Sequence, residues 1–257
     1  MHIASCSFGK DSIAQVILAH IHNEPLDLII YSEVMFSNEI SGEIPEHRDF
    51  IYNKAIPIIE SWGYTVKILR SDTTYLDCFN KVTQRSKVPE RIGKRYGFPM
   101  AGKCLINDRC KIEPIRKFFR EYEEKDFIQY IGIAIDEPKR LERLKGTNKI
   151  SLLAEYGYTE KMAFDLCKEY NLLSPIYDFA PRGGCWFCPN ARNGELRHLW
   201  DYQRELFEKL VELEKEPNLN GNIWNTLQKT KISDIAERFY WEDQQMTIFD
   251  YIEKKEK

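Results

Sequence analysis

The chain has 257 residues, of which 43% are hydrophobic and 30% charged, and its formal net charge is -3 at pH 7. A chain of this length buries one sizeable core, and no apolar run approaches the roughly 20 residues that a membrane-spanning helix requires. The amino terminus enters a strand-like segment directly, without the charged and apolar regions of a secretory signal, so we expect a cytoplasmic protein with no membrane partner. Seven cysteines with uneven spacing favour thiol, metal or cluster chemistry over a disulfide framework.

Strand and helix patterns alternate along most of the chain. Strands are predicted at 2–6, 26–31, 64–69 and 127–135. Helices are predicted at 12–22, at 45–62 between Pro45 and Gly63, at 111–122, and from Thr159 onward. This alternation is typical of a mainly parallel sheet with helices on both faces, so the predicted fold class is α/β, Rossmann-like and three-layered (α/β/α).

The last quarter of the chain predicts a helical appendage. A single long amphipathic helix is expected over 196–216, followed by a tail that mixes charge with aromatic residues. Among the aromatic residues of the tail are Trp224, Phe239, Tyr240, Trp241 and Phe249. We therefore expect a nucleotide-binding α/β domain at 1–195 and a packed C-terminal helical extension at 196–257.

The segment Ser7-Phe8-Gly9-Lys10-Asp11-Ser12 joins the first strand to the first helix and predicts a phosphate site. Backbone N–H groups and a helix amino terminus meet there, which favours an anion. Gly9 permits close backbone approach, the two serines offer hydroxyl groups, and Lys10 supplies a point charge for the outer phosphates. Asp11 either helps to hold Mg²⁺ or caps the helix, and the alternative for the whole segment is an ordinary capped turn.

The hexapeptide is similar to the Ser-Gly-Gly-Lys-Asp-Ser loop of the PP-loop ATP pyrophosphatases, with Phe8 in place of the middle glycine. Two further segments resemble the related phosphoadenosine phosphosulfate (PAPS) reductase-like family: the Lys-Ile-Glu-Pro-Ile stretch at 111–115, and residues 132–137 followed by an arginine. The resemblance covers about residues 1–200 and implies an adenine nucleotide alpha hydrolase-like fold that binds ATP with Mg²⁺. It implies that Lys10 and Asp11 are catalytic, and that Ser7 to Ser12, Lys111, Gly132, Glu137 and Arg140 contact the nucleotide. Glu137 and Arg140 equally suit an ordinary surface pair.

Four cysteines form a candidate metal centre. Cys185 and Cys188 frame a Cys-x2-Cys turn, and Cys104 and Cys110 are the natural partners. The adenylyl-sulfate reductases that carry a 4Fe-4S cluster resemble this plan, although their early cysteines are adjacent. A structural zinc fits the same four thiolates, and a metal-free set of thiols is the third possibility. The remaining cysteines, Cys6, Cys78 and Cys167, are interpreted as small hydrophobic residues.

A basic segment at 81–120 suits phosphate, because its basic residues outnumber its acidic ones by nine. It fits either a nucleic-acid substrate or the phosphates of the nucleotide. The alternative is a solvated helix face that binds no ligand. Because no cysteine follows Cys188, sulfonucleotide reduction is disfavoured, whereas Lys10 is the hallmark of the branch that splits ATP into AMP and pyrophosphate.

The resulting hypothesis is an AMP-forming activator, and its extension is a coupling to sulfur transfer onto a nucleic acid or a small molecule. Its expected partners are an adenine nucleotide, a nucleic acid, and a sulfur-donor protein or a second copy of the chain. The alternatives are a PAPS or APS reductase-like enzyme and a non-catalytic nucleotide-binding regulatory module with a structural zinc.

Overall fold

The computed structural model describes residues 1–100, 104–121, 126–181, 183–225 and 227–244. Lys103, Tyr122 and Phe249 lie outside these ranges. The chain forms two compact units, one made of residues 1–75 and 106–185 and the other of residues 76–105 and 186–257. Residues 76–105, which the sequence places in the first domain, therefore belong to the second unit, and the division differs from one at residue 195. Among the described helices, none combines the length and apolarity needed to cross a bilayer.

Five parallel strands form the sheet of the first unit. They are β1 (His2–Ser5), β2 (Leu28–Glu33), β3 (Val66–Arg70), β4 (Ile128–Ile131) and β5 (Lys149–Ile150). Their order across the sheet is β3-β2-β1-β4-β5, and every neighbouring pair is parallel. Strand order reverses at β1, so the carboxyl ends of β1 and β4 flank the switch point at which open α/β sheets bind ligands.

Helices cover both faces of this sheet, and the alternation of side chains along the strands explains why. The α-helices that begin before residue 185 are α1 (Lys10–Ile21), α2 (Pro45–Phe50), α3 (Ile56–Ser61), α4 (Tyr75–Asn80), α5 (Glu113–Arg120), α6 (Pro138–Leu141), α7 (Leu152–Glu155) and α8 (Glu160–Glu169). Ala4 and Ile29 face the core that contains α1, whereas Ile3 and Ile30 face Phe118 of α5 on the opposite side. The predicted α/β, Rossmann-like, three-layered fold is thereby confirmed.

Two π-helical turns precede prolines that stand inside helical stretches. Residues Ile51–Ala55 connect α2 to α3 just before Pro57, and Asn107–Ile112 lead into α5 just before Pro114. Proline lacks the N–H for the normal helical bond, and its ring clashes with the carbonyl four residues earlier. A wider π turn lets the helix continue past such a residue. The prediction of a helix at 111–122 is right for α5 but missed the π turn.

A buried carboxylate at the end of β2 ties neighbouring elements together. Both oxygens of Glu33 are used, because they accept hydrogen bonds from Ser41 and Tyr52 and pair with Arg48 and Arg70 at 3.1 and 2.6 Å. Burial alone raises the pKa of Glu33, but the hydrogen bonds from Tyr52 and Arg70 outweigh it and leave the pKa below its ordinary value. Glu33 thus links β2 to β3 and to the helical run that begins at α2.

The second unit contains α9 (Asn193–Tyr202), α10 (Arg204–Lys215) and α11 (Ile232–Gln244). The prediction of one long helix over 196–216 is wrong, because the backbone leaves the helical region at Gln203 (φ -130°, ψ 47°). After this break the Arg204 guanidinium lies 3.2 Å from the centre of the Trp200 ring. Trp200 in turn packs edge-on against Phe207 and Phe239, so the described part of the tail is packed, as expected.

Residues 80–98 are joined to residues 216–221 within the second unit. Arg95 donates hydrogen bonds to the Asn80 side chain, to the Glu216 carboxylate and to the Pro217 carbonyl. Gly97 has a φ of +76°, and a Cβ atom there would lie 2.1 Å from the Gly221 carbonyl oxygen, so only glycine fits. These contacts explain why residues 76–105 fold with the C-terminal part of the chain.

Candidate phosphate-binding site

The hexapeptide lies at the carboxyl end of β1, beside the switch point of the sheet. Helix α1 begins at Lys10, and Gly9 is its N-cap with no side-chain capping bond. The first intrahelical bond joins the Ile13 N–H to the Gly9 carbonyl at 3.0 Å, so the amides of Asp11 and Ser12 have no intrahelical partner. The interpretation of Asp11 as the helix cap is therefore not what the structure shows.

Phe8 occupies the loop position where the resembled motif has glycine, and its backbone explains that glycine. Its φ is +58°, a left-handed conformation that costs a non-glycine residue about 1–2 kcal/mol. The ring is fully buried and meets Tyr31 edge-on, with 5.2 Å between ring centres. Burying a phenylalanine contributes about 1.5–3 kcal/mol, which offsets the backbone strain. The loop keeps the conformation that glycine favours by anchoring an aromatic ring beneath it.

The two serines of the loop differ in role. The Ser12 hydroxyl accepts a hydrogen bond from the Ser7 N–H at 3.1 Å and donates to the Gly9 carbonyl at 3.0 Å. It therefore closes the loop on itself. The Ser7 side chain is exposed, and its hydroxyl lies 3.4 Å from that of Ser12. Of the two hydroxyl groups predicted to contact phosphate, that of Ser7 is the more accessible.

Three residues that the sequence analysis did not assign to the site hold the loop from outside. The Tyr177 hydroxyl accepts a hydrogen bond from the Lys10 N–H at 2.7 Å, and the Cys167 thiol donates to the Lys10 carbonyl at 3.1 Å. His47 is buried, with its Nδ1 2.8 Å from the Ser174 hydroxyl. Burial lowers the pKa of His47 to about 4 despite a hydrogen bond to the Ser7 backbone, so the ring is neutral at pH 7. No local pattern marks these residues, because they lie 35 or more positions from the loop.

The Lys10 ammonium is shared between two carboxylates. Its Nζ lies 2.7 Å from Asp11 Oδ1 and 2.9 Å from Glu160 Oε2. Burial lowers the pKa of Lys10, but the bonds to Asp11 and Glu160 outweigh it and raise the pKa overall, so the amine is charged at pH 7. Burial raises the pKa of Asp11, with Glu160 and Glu137 adding to the effect and Lys10 opposing it. A positive charge thus lies at the loop among three acidic side chains.

Gly132, predicted to contact nucleotide, packs directly against the loop. A Cβ atom at this position would lie 2.6 Å from the Asp11 carbonyl oxygen, 2.7 Å from its carbonyl carbon and 2.8 Å from the Ser12 nitrogen. Real Cβ atoms do not approach backbone atoms so closely. The residue that follows β4 must therefore be glycine for the start of α1 to reach its observed position.

The other predicted nucleotide contacts are Lys111, Glu137 and Arg140. Arg140 pairs with both carboxylate oxygens of Glu137, at 2.6 and 2.7 Å, which is the surface pair that the sequence left open. Burial raises the pKa of Cys6 and of Glu43, and Lys111 lies close enough to both for its charge to oppose that rise. Lys111 and Glu137 are thus within electrostatic reach of the loop, whereas Arg140 is engaged by its neighbour.

No disulfide bond joins any of the described cysteines. Cys110 is buried in the π turn, and Cys104, Cys185 and Cys188 are half-buried. The residues that the structure describes contain no group of three or more His, Cys, Asp or Glu side chains that could hold a metal ion. Cys104, Cys110, Cys185 and Cys188 therefore do not form such a group within the described residues. Burial raises the pKa of Cys6 to about 11 and of Cys167 to about 12, which makes both unreactive at neutral pH.

The positive charges of the basic segment are paired in one part and unpaired in another. The pairs within the first unit are Arg109–Glu113, Arg116–Asp108 and Lys117–Asp72. In the second unit, by contrast, Arg85, Lys87, Arg91 and Lys94 are exposed and form no ion pair with any described carboxylate. Lys81 lies over the ring of Tyr96, 5.9 Å from its centre. The unpaired charge is therefore concentrated at 81–94.

Comparison with known proteins gives limited matches. No family model matches the chain. An uncharacterized nin region protein of Escherichia phage lambda is 29% identical over 96 residues, which is 37% of this chain and 32% of that protein. An uncharacterized protein of Methanocaldococcus jannaschii is 28% identical over 144 residues, which is 51% of this chain and 30% of that protein. The chain thus spans about a third of the length of the curated relatives it matches.

Among solved structures, the chain is similar to the U34-tRNA thiolase NcsA from Methanococcus maripaludis, which was solved with its 4Fe-4S cluster. The alignment covers 96% of this chain and 73% of that one, with 16% sequence identity and a TM-score of 0.40. A likeness of this size does not establish a family or an activity. The fold class rests on the strand order and the two helical layers of the chain itself.

Proposed function

We propose that the chain binds ATP at the Ser7–Ser12 loop and activates an acceptor by forming its adenylate. The main support for this proposal is the start of α1. There the amides of Asp11 and Ser12, which have no intrahelical partner, lie next to the charged Lys10 side chain. A helix amino terminus with free N–H groups attracts phosphate, and a lysine nearby adds a full positive charge. The position at the carboxyl end of β1 is where ligands bind in sheets of this order.

In this proposal the loop amides and Lys10 bind the β- and γ-phosphates, which leave as pyrophosphate. An oxygen of the acceptor bonds to the α-phosphorus as the bond from that phosphorus to the bridging oxygen breaks, and the electron pair leaves with pyrophosphate. Fixed donors at the loop stabilise the charge that develops on the bridging oxygen. Asp11 orients the Lys10 ammonium through their 2.7 Å contact. Mg²⁺ would enter as the counter-ion that ATP carries and would neutralise charge on the departing pyrophosphate.

The test compares Lys10→Ala with Lys161→Ala, in which an exposed lysine loses its pair with Asp165 on α8. We expect Lys10→Ala to weaken ATP binding at least about tenfold, because a hydrogen bond between charged groups contributes about 1.5–3 kcal/mol. The control should bind within about twofold of wild type, since exposed ion pairs contribute little. Calorimetry measures affinity, and a coupled assay measures pyrophosphate release. If Lys10→Ala matches wild type in both, the phosphate-loop assignment is wrong.

A non-catalytic nucleotide-binding module is the second candidate. It is favoured by the engagement of Lys10 with both Asp11 and Glu160, which holds the ammonium between two carboxylates. A measurement of pyrophosphate release by protein that binds ATP distinguishes the two functions. Tight ATP binding without pyrophosphate release, across nucleic-acid and small-molecule acceptors, supports the module over the activator.

We further propose that the acceptor is a nucleic acid and that it contacts the unpaired charges at 81–94. Arg91→Ala should weaken RNA or DNA binding and reduce the salt dependence of the logarithm of affinity by about 0.7–0.9. Arg116→Ala is the matched control, because that arginine is paired with Asp108. Equal effects of the two substitutions would contradict a surface confined to 81–94.

Coupling to sulfur transfer requires a cluster on Cys104, Cys110, Cys185 and Cys188. The adenylation step does not require it. Thiolates suit either iron–sulfur clusters or zinc. The proposal expects iron and sulfide in anaerobically purified protein, both lost in a Cys185→Ser, Cys188→Ser double variant. Zinc in their place indicates a structural site, and protein without metal removes the sulfur-transfer part while leaving ATP activation intact.

A further inference from the structure

Tyr177 places its hydroxyl inside the phosphate loop. Its Oη lies 2.7 Å from the Lys10 nitrogen, and a Cβ atom on Gly9 would lie 3.3 Å from the same oxygen. The residue belongs to the short 3-10 helix Pro175–Asp178, which Ser174 caps by accepting a hydrogen bond from the Ile176 N–H. The Ser174 hydroxyl also contacts His47 at 2.8 Å. The position of the phenol is therefore fixed by the turn that carries it.

The hydroxyl of Tyr177 has a donor hydrogen that no described residue accepts. A phenol has one donor hydrogen and accepts through its lone pairs, and the Lys10 N–H takes one of those lone pairs. Burial is the largest effect raising the pKa of Tyr177, so the group is neutral and keeps its proton at pH 7. Within the described ranges of the chain, the hydroxyl makes no second hydrogen bond. A donor without an acceptor at a partly buried site suits an anionic ligand.

We propose that Tyr177 is a phosphate-binding residue whose hydroxyl donates to an oxygen of the pyrophosphate end of the nucleotide. The inference rests on the proposed ATP site. An oxygen held by the Asp11 and Ser12 amides is adjacent to the Lys10 amide, and the hydrogen-bond acceptor of that amide is Tyr177. Donation from Lys10 polarises the phenol and strengthens its own donation to a charged oxygen. The opposite role would be a plug, in which the hydroxyl occupies the place that a phosphate oxygen takes.

The change in nucleotide affinity caused by Tyr177→Phe distinguishes the two roles, because affinity falls if the hydroxyl binds phosphate and does not fall if the hydroxyl blocks the site. Tyr177→Phe keeps the ring, which meets Phe164 edge-on at 5.9 Å, and removes only the hydroxyl. We expect the variant to bind MgATP and inorganic pyrophosphate about tenfold or more weakly in calorimetry, because the lost bond is to a charged group. Tyr202→Phe removes an exposed hydroxyl as the chemical control and should bind as wild type does.

Cys167→Ala is the structural control, because it removes the bond to the Lys10 carbonyl without removing a phosphate donor. Tyr177→Phe that binds as tightly as wild type, or more tightly, overturns the inference. So does a loss for ATP without one for pyrophosphate, or an equal loss in Cys167→Ala, which would indicate general loosening of the loop. If wild type binds ATP and Lys10→Ala does not, yet Tyr177→Phe is unaffected, the Tyr177 role alone fails. If wild type binds no ATP, the proposed function fails and this inference with it.

Discussion

Replacing Gly132 with alanine is expected to displace the phosphate loop. The new methyl group would lie 2.6 Å from the Asp11 carbonyl oxygen, about 0.8 Å inside an ordinary contact of about 3.4 Å. Because backbone atoms form the obstacle, either β4 or the start of α1 must shift by most of that distance. Overpacking of this kind costs about 1–3 kcal/mol of unfolding free energy. A displacement of about 1 Å at a catalytic centre lowers rates by about a hundredfold, so we expect the rate of pyrophosphate release to fall by about that factor.

Urea unfolding, ATP calorimetry and the coupled assay of pyrophosphate release on Gly132→Ala test this expectation, with Gly146→Ala as the control. Gly146 has a φ of +70° and open space around it, so alanine there costs about 1 kcal/mol through the backbone without touching the loop. The control should lose stability but keep its ATP affinity. If Gly132→Ala binds ATP as wild type does, or if both variants lose affinity equally, the close packing of Gly132 does not position the loop.

Three further substitutions probe the site and its support. Phe8→Gly removes the strain at φ +58° but also a fully buried ring, and we expect a net loss of about 2 kcal/mol in urea unfolding. Glu33→Gln should cost about 1–3 kcal/mol near neutral pH. Because the folded pKa of Glu33 is lowered, its contribution is complete above the ordinary glutamate pKa, so the deficit shrinks as pH falls through the lowered value. Glu160→Gln releases Lys10 from one carboxylate and should tighten ATP binding a few-fold in calorimetry; weaker binding would show that Glu160 supports the loop instead.

The sequence predicted those features that depend on local pattern. Apolar strands alternating with helical periodicity predicted the parallel sheet, and a glycine turn between β1 and α1 predicted the loop. The helix predicted from Thr159 onward is α8, and Thr159 is its N-cap, with a hydroxyl that accepts a hydrogen bond from the Met162 N–H at 3.2 Å. Helix caps and turns depend on residues that are adjacent in the sequence, so they can be predicted without a structure.

Features that depend on distant residues were missed. Tyr177 and Cys167 reach the loop from more than 150 positions away, and no spacing rule relates them to Lys10. The single helix expected at 196–216 breaks at Gln203, where ring packing of Trp200 against Phe207 and Phe239 overrides a continuous amphipathic pattern. Gly132 as a nucleotide contact stays a prediction, but its close packing against the backbone of Asp11 and Ser12 was not foreseen. Tertiary contact decided each of these points.

Cys6 and Cys167 give the loop a built-in chemical reporter. Both thiols are buried at the base of the loop, one 3.6 Å from the Ser12 hydroxyl and the other bonded to the Lys10 carbonyl. A thiol-reactive reagent at neutral pH therefore labels them only when this region opens. Residue-resolved labelling rates, followed by mass spectrometry, convert to the free energy of that local opening under native conditions. A nucleotide that closes the loop would slow labelling at these two cysteines while leaving the rate at a half-exposed thiol unchanged.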